Sequence, residues 1–85
     1  MSTYTVTSTP PAGREFAKLP AAVQPAIAAA LRGLAADPRP PGCKKLKGQP
    51  GWRIRVGDYR VIYDVEDSSQ SVTITQIAHR RDVYR

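Results

Sequence analysis

The sequence has few of the residues from which disulfide-linked and metal-dependent proteins are built. It contains one cysteine, Cys43, and one histidine, His79, in 85 residues. One cysteine cannot form an internal disulfide, and together with one histidine it cannot supply the ligand set of a structural zinc site. We therefore expect no metal and no other cofactor, and a chain suited to a reducing compartment such as the cytoplasm.

The sequence also lacks long apolar segments. No run is long enough to span a bilayer, and the N-terminus has no basic region followed by an apolar one, as a secretory leader would. The length leaves room for one domain with a modest core. We expect a soluble protein that forms a single domain over residues 1–85 and has no membrane partner.

Acidic residues are scarce compared with basic ones. Thirteen Lys and Arg against seven Asp and Glu give a net charge of +6. The excess is concentrated between residues 44 and 60, where Asp58 is the only acid, and in the last residues of the chain. Clustered basic charge provides the sequence-independent part of binding to a phosphate chain, although it also serves solubility. The charge pattern is thus compatible with a polyanionic partner.

The segment Trp52–Tyr63 predicts a β-hairpin. It reads W-R-I-R-V-G-D-Y-R-V-I-Y, two alternating runs on either side of Gly57-Asp58, which is a strong signal for a two-residue turn. Because side chains alternate between faces, the apolar residues share one face and Arg53, Arg55 and Arg60 share the other. The predicted cross-strand pairs are Val56–Tyr59, Arg55–Arg60, Ile54–Val61 and Trp52–Tyr63.

The predicted hairpin places two guanidinium groups directly opposite each other. Like charges across a ladder, here Arg55 and Arg60, cost a few tenths to about 1 kcal/mol. An anionic ligand would relieve this repulsion, so we interpret the face as a candidate anion-binding surface. The alternative is an ordinary solvated sheet face.

The segments before the hairpin predict one strand and two helices. Residues 3–8 alternate and are rich in β-branched residues, and Thr9 is placed to cap a helix from Pro10 to about Lys18. A stripe of apolar residues predicts a second helix that begins near Ala21 or Ala22 and ends at Ala36, before Asp37-Pro38. The stripe consists of Leu19, Val23, Ile27, Leu31 and Leu34.

The remaining segments complete the predicted fold. Asp37–Gly51 is expected to be a loop because proline and glycine interrupt it throughout, and Val72–Ala78 is expected to be the last strand. The order strand, two helices, three strands predicts an α+β fold. In it, an N-terminal strand and a helical hairpin pack on a mostly antiparallel, four-stranded twisted sheet.

Two motifs give the chain a resemblance to a known family. The run K-L-K-G-Q-P-G-W-R-I-R-V-G-D-Y-R-V-I-Y and the terminal H-R-R-D-V-Y-R resemble the RelE branch of the RelE/ParE toxin superfamily, over nearly the whole chain. The resemblance implies a RelE-like microbial ribonuclease fold and a toxin of a bacterial type II toxin-antitoxin system. Such a toxin enters the ribosomal A site, cuts mRNA by attack of a 2′-hydroxyl on the adjacent phosphate, and is neutralised by a RelB-like antitoxin.

The resemblance also implies roles for individual residues. Arg53 and Arg55 occupy the positions of two lysines near the attacking hydroxyl. Arg60 matches the arginine that holds the scissile phosphate. Arg80 matches the arginine that assists the leaving group, and Tyr84 matches a tyrosine that stacks on a base, in a tail that is shorter here. Further candidate RNA-binding residues are Lys44, Lys45, Lys47 and Arg81.

The change from lysine to arginine leaves the proton acceptor of the implied reaction unidentified. Arginine keeps its proton at any ordinary pH, whereas a desolvated lysine can act as a base. Arg53 and Arg55 are therefore expected to act electrostatically. The ribosome, solvent or His79 would take the proton, and His79 is the only side chain whose ordinary pKa, about 6.5, suits that role.

Two alternative functions remain open at the level of the sequence. A ParE-like toxin that poisons DNA gyrase without nuclease activity shares the fold, so fold alone does not separate the two. ParE-like chains generally lack the arginine set and tail found here. The third possibility is an inactive relative retained for binding to an antitoxin or operator.

Overall fold

The computed structural model describes residues 3–83 and is built around a five-stranded sheet. The strands are β1 (Thr5–Ser8), β2 (Lys44–Lys45), β3 (Trp52–Val56), β4 (Tyr59–Glu66) and β5 (Ser71–His79). Their order across the sheet is β1-β5-β4-β3-β2. Strand β1 runs parallel to β5, and the other neighbours are antiparallel. With helices α1 (Pro10–Ala17), α2 (Gln24–Ala36) and α3 (Arg80–Val83), the fold is the predicted α+β type.

The prediction of four strands was wrong by one strand. Lys44 and Lys45, expected to lie in a loop, pair with Arg53 and Trp52 and form the edge strand β2. Lysine has little β propensity, and two residues are too few to show alternation, so the pattern could not indicate this strand. A short edge strand made of lysines is also a device that protects a sheet from unwanted pairing.

The hairpin of β3 and β4 has the predicted register. Val56 pairs with Tyr59, Arg55 with Arg60, and the ladder continues to Trp52 opposite Tyr63. Gly57 has a φ of 59°. A positive φ at this point is what a two-residue hairpin turn requires, and glycine adopts it without steric cost. The turn chemistry and the alternation therefore specify the same register.

The two longer helices begin and end for identifiable reasons. Helix α1 begins after Thr9, whose Oγ1 accepts a hydrogen bond from the Ala12 N–H at 3.3 Å, as predicted. Helix α2 begins at Gln24, slightly later than expected, with Pro25 in its first turn. The Gln24 side-chain amide donates to carbonyls at the end of α1, those of Phe16, Ala17 and Leu19. It thereby satisfies groups that a helix end leaves unpaired.

The exit from α2 also follows the prediction. The helix ends at Ala36, and Asp37 is extended, with φ −145° and ψ 99°. Proline disfavours the helical conformation in the residue that precedes it, and Pro38 follows Asp37. The chain then crosses to the sheet, where the Pro38 carbonyl accepts a hydrogen bond of 2.7 Å from the buried Tyr63 hydroxyl.

The core lies between one face of the sheet and helices α1 and α2. Buried side chains of both helices pack against buried side chains of β3, β4 and β5. The buried apolar residues are Ala12, Ile27, Leu34, Ile54, Val61, Tyr63, Val72, Ile74 and Ile77. The arginines of the hairpin lie on the opposite face of the sheet. Within residues 3–83, no helix has the length and apolarity needed to cross a membrane.

A side chain of α1 accepts a hydrogen bond from the open edge of β5. Strand β1 pairs with β5 only as far as Ser8 opposite Ile74, whereas β5 continues to His79. Beyond that point the Ile77 N–H donates to Glu15 Oε1 of α1 at 2.8 Å. The carboxylate therefore replaces a backbone partner where β1 has ended.

Candidate functional site

Four basic residues lie in two cross-strand rows on the face of the sheet away from α1 and α2. Lys44 of β2 pairs with Arg53 of β3 in one row, and Arg55 of β3 pairs with Arg60 of β4 in the next. Paired residues point to the same face, and Val61, the neighbour of Arg60, is buried in the core on the other face. We call the surface formed by Lys44, Arg53, Arg55 and Arg60 the basic face.

Arg60 is the buried member of the basic face. Its side chain lies on the central strand β4 and is 8% exposed, whereas Arg55 beside it is exposed. Its Nε and Nη1 atoms are buried and have no hydrogen-bond partner. An unpaired polar group costs free energy when it is removed from water, and a charged group costs more. The fold therefore holds a guanidinium with unused donors, which is the chemistry of an anion site.

The electrostatic surroundings of Arg60 agree with this description. Burial lowers the pKa of Arg60 from its usual value, and the positive charges of Arg55, Arg53 and Arg80 lower it further. Asp58 acts in the opposite direction. The cationic form of Arg60 is thus held in an environment that disfavours it. A bound anion would stabilise all of these cations together.

Helix α3 brings the C-terminal segment to the hairpin turn. The Arg80 N–H donates to the Asp58 carbonyl at 2.7 Å, and Arg80 Nε lies 3.9 Å from Asp58 Oδ1. The Arg80 side chain remains 63% exposed, so its guanidinium is available to a ligand beside Arg60. Asp58 was not predicted to have a role. Its position as the only acid between residues 44 and 60 was the signal in the sequence.

His79 does not lie with the arginines. It pairs with Tyr59, whose side chain is on the helix-covered face of the sheet, and the two rings meet edge to face with centroids 5.3 Å apart. His79 Nδ1 also accepts a hydrogen bond from the Arg81 N–H at 3.4 Å. The sheet therefore separates His79 from the basic face, so the structure does not bring this expected proton acceptor together with the arginines.

The other candidate RNA-binding residues are divided between the two faces. Lys45 pairs with Trp52 on the helix-covered side, and its ammonium lies 5.2 Å from the centre of the indole ring, a cation–π contact. Lys47 lies in the exposed loop before β3, and Arg81 is exposed in α3. Tyr84 lies outside the described residues.

No metal site accompanies the basic face in the described part of the chain. Residues 3–83 contain no group of three or more His, Cys, Asp or Glu side chains placed to hold an ion. The groups that the basic face offers to a ligand are hydrogen-bond donors with positive charge.

Comparison with known proteins places the chain in a family. The model of the ParE toxin of the type II toxin-antitoxin system, parDE, matches residues 6–84. Toxin RelG of Mycobacterium tuberculosis is 33% identical over 84 residues, which cover 96% of this chain and 97% of that toxin. Both matches extend over nearly the whole sequence and include the hairpin and α3.

Solved structures agree with this placement. A chain in the crystal structure of the toxin-antitoxin complex RelBE2 from Mycobacterium tuberculosis has a TM-score of 0.83 and 32% identity, covering 96% of this chain and 97% of that chain. A chain in the archaeal RelE–RelB complex from Pyrococcus horikoshii has a TM-score of 0.82 and 28% identity, covering 95% and 99%. From the family model, the homologous toxin and the shared fold, we conclude that this chain belongs to the RelE/ParE superfamily of toxins of type II toxin-antitoxin systems.

Proposed function

We propose that this toxin is a ribosome-dependent mRNA endoribonuclease that acts in the cytoplasm and inhibits translation. The observation that carries the proposal is the buried Arg60 guanidinium of the basic face, with two unpartnered nitrogen atoms. A phosphodiester supplies the acceptor oxygens and the negative charge that this group lacks. The resemblance of the hairpin and tail to RelE toxins supports mRNA in the ribosomal A site as the source of that phosphate.

The proposed reaction is a transesterification within the RNA. The 2′-oxygen attacks the adjacent phosphorus while its proton leaves, and the bond from phosphorus to the 5′-oxygen breaks. The 5′-oxygen gains a proton, so the products are a 2′,3′-cyclic phosphate and a 5′-hydroxyl. Negative charge grows on the non-bridging oxygens in the transition state, and fixed cations stabilise it.

Each arginine of the site has a distinct place in this scheme. Arg60 and the opposing Arg55 hold the scissile phosphate from two neighbouring strands. Arg53, two residues from Arg55 on β3, lies on the side of the attacking hydroxyl and stabilises the developing alkoxide. Arg80 is exposed next to the turn and interacts with the leaving oxygen. Their main contribution is positioning and charge stabilisation.

The proton acceptor in this proposal lies outside the toxin. Arg53 and Arg55 keep their protons at ordinary pH, and His79 lies on the other face of the sheet. We assign the proton to a group of the ribosome, or to a water molecule that the ribosome positions. A requirement for the ribosome follows, because the isolated chain orients the phosphate but does not complete the catalytic set.

A RelB-like antitoxin is the proposed neutralising partner. RelB is the partner of RelE in the archaeal complex, which supports an antitoxin of that kind here. A segment that carries carboxylates would satisfy the donors of the basic face and exclude RNA from it. Because this attraction is electrostatic, the affinity of the complex is expected to decrease as salt concentration rises.

Inhibition of DNA gyrase is the second candidate function. The description of the matching family model, the ParE toxin, is the observation that favours it. In that case the basic face would bind a partner without cutting RNA. The two functions differ in the damage that they cause in cells, so one induction experiment separates them.

The test is to induce the toxin and map mRNA 5′ ends by primer extension. We expect breaks inside translated codons for the wild type, and a decrease of at least about 100-fold in cutting for Arg60→Ala and Arg80→Ala, because each removes a transition-state contact. Arg32→Ala, which removes the same charge from an exposed position of α2, is the matched control and should cut as the wild type does. DNA damage without such breaks would instead establish the gyrase function.

A further inference from the structure

The basic face contains a second pair of cations beside the pair that holds the scissile phosphate. Lys44 and Arg53 are directly opposite each other on β2 and β3, and Arg55 and Arg60 are opposite each other on β3 and β4. The two pairs share the strand β3 and one face of the sheet. The structure thus repeats the same element, two opposed cations on adjacent strands, one step further along β3.

The distance between the two pairs is set by the geometry of the strand. Arg53 and Arg55 are two residues apart, and a strand rises about 3.3 Å per residue, so they lie about 7 Å apart along β3. The pairs also differ by one inter-strand spacing of about 4.8 Å, because one spans β2 and β3 and the other β3 and β4, so their centres are about 8 Å apart. Neighbouring phosphates of a single RNA strand are separated by a similar distance. A ladder of cation pairs on a sheet can therefore follow an RNA backbone with one pair for each phosphate.

The space around the pair Lys44–Arg53 is suited to a ligand. A cavity of about 360 Å³ is lined by Lys44, Lys45, Leu46, Lys47, Gln49 and Arg53. Lys44 and Lys47 are exposed, and Arg53 is half-buried at the side of this cavity. The ammonium of Lys45 lies over Trp52. Lys44 is consequently the lysine whose pairing places it on the basic face.

We propose that Lys44 and Arg53 form a second phosphate subsite, which binds the phosphate next to the scissile one in single-stranded RNA. The RNA backbone then runs obliquely across β3, from Arg60 and Arg55 near the hairpin turn to Lys44 at the sheet edge. This inference rests on the proposed function, because it takes Arg60 as the site of the scissile phosphate. It adds the path of the substrate across the sheet and a contact, through Lys44, that increases affinity without touching the reacting bond.

The test compares trinucleotides that carry two phosphates or one. A 2′-O-methylated trinucleotide without terminal phosphates cannot be cut and has two backbone phosphates. Each of two comparison ligands has a neutral methylphosphonate in place of one of these phosphates, at the first position or at the second. Dissociation constants are measured by NMR titration, at low salt and then at increasing salt concentrations. The proteins compared are the wild type, Lys44→Gln, Arg60→Ala and Lys18→Gln. Lys18 is exposed at the end of α1, so its variant removes an equal charge away from the basic face.

We expect the second phosphate to increase the affinity of the wild type and of Lys18→Gln by about 3- to 10-fold at low salt. In Lys44→Gln the gain from the second phosphate should be smaller than in the wild type, because Arg53 alone remains in the subsite. The slope of log Kd against log salt should decrease by up to about 0.7, the value for one phosphate of a single strand. An undiminished gain from the second phosphate in Lys44→Gln would overturn the subsite.

Arg60→Ala distinguishes this failure from failure of the proposed function. If Arg60→Ala weakens binding of the one-phosphate ligand while Lys44→Gln behaves as the wild type, only the second subsite is refuted. If Arg60→Ala binds both ligands as the wild type does, Arg60 is not the phosphate site, and the proposed function and the subsite both fail. Absence of binding to the wild type at low salt would refute the subsite as well.

Discussion

At the scale of single residues, Arg60 combines a proposed role in phosphate binding with a cost to stability. Its guanidinium is buried, lacks partners at two nitrogen atoms, and lies near three other arginines. A buried ionic group is often less favourable than an apolar side chain of similar size. The arrangement therefore favours binding of an anion and lowers the stability of the free toxin.

Replacing this charge should stabilise the protein while inactivating it. We expect Arg60→Met to raise the free energy of unfolding by about 1 kcal/mol or more, because it removes a desolvated charge and its repulsion with Arg55. Urea denaturation of the purified toxin measures this change. Arg32→Met, at an exposed position of α2, should alter the free energy by less than about 0.5 kcal/mol. A less stable Arg60→Met would contradict this account of the site.

The sequence predicted the position of Arg60 but not its burial. Alternation along the hairpin places Arg60 on the same face as Arg55, and the structure has that pairing. Whether a charged side chain on that face is solvated depends on what surrounds it in three dimensions. The approach of Arg80 depends on the contact of its backbone with the hairpin turn, which no local pattern in the sequence encodes.

At the scale of elements, the predictions were most accurate where local chemistry determines the outcome. The turn at Gly57, the cap at Thr9 and the end of α2 before Pro38 each follow from the conformational limits of one or two residues. Strand β2 and helix α3 were missed because each is very short and owes its existence to the neighbouring strands. No face could be predicted for His79 for a related reason, since its face depends on the register of β5 against β4, a pairing that contains a bulge at Ile62/Tyr63.

Two glycines provide a test of the element-level account. Gly51, before β3, has a φ of 120°, and an added Cβ would lie 3.1 Å from Asp64 Oδ1 and 3.2 Å from the Tyr63 carbonyl oxygen. Gly33, in α2, has no atom within 4 Å of such a Cβ. We expect Gly51→Ala to lower the free energy of unfolding by more than about 1 kcal/mol. Gly33→Ala should raise it by about 0.5–1 kcal/mol, because alanine is the better helix former.

Thermal and urea unfolding of the two variants measure these opposite effects. The same chemical change is made at both positions, so each variant is a control for the other. Equal changes of the same sign would show that backbone conformation and local space do not determine the stability of these elements.

At the scale of the whole molecule, a surface network links distant parts of the chain. The Tyr4 hydroxyl donates to Asp67 Oδ1 at 2.7 Å, and Arg39 donates to both oxygens of the same carboxylate at 3.2 and 2.9 Å. Asp67 follows β4, Tyr4 precedes β1, and Arg39 follows α2. The hydrogen bonds from Arg39 and then from Tyr4 lower the pKa of Asp67. One carboxylate thus connects three segments that are far apart in sequence.

This network predicts a contribution of Asp67 to stability that depends on pH. Because the pKa of Asp67 is lower in the folded state, its contribution is fully present above the unfolded pKa of about 3.9 and is lost as pH falls through the folded value. We expect the free energy of unfolding of the wild type to decrease below about pH 4, and that of Asp67→Asn to decrease less. Urea titrations at a series of pH values measure the difference.

Asp64→Asn, which removes the same charge at another exposed position, controls for the change in net charge. Identical pH dependence of the wild type and Asp67→Asn would show that the network does not hold these segments together in solution. High salt should reduce the effect, because the network is exposed and salt screens it.

The carboxylate of Glu15 on the Ile77 N–H has a consequence for the free toxin in a crowded cell. A ladder with vacant donors is a template onto which further copies can add, and such growth leads to filaments. By occupying the donor itself, Glu15 denies that position to an incoming chain. Glu15 therefore protects this stretch of β5 from pairing with a second copy of the chain.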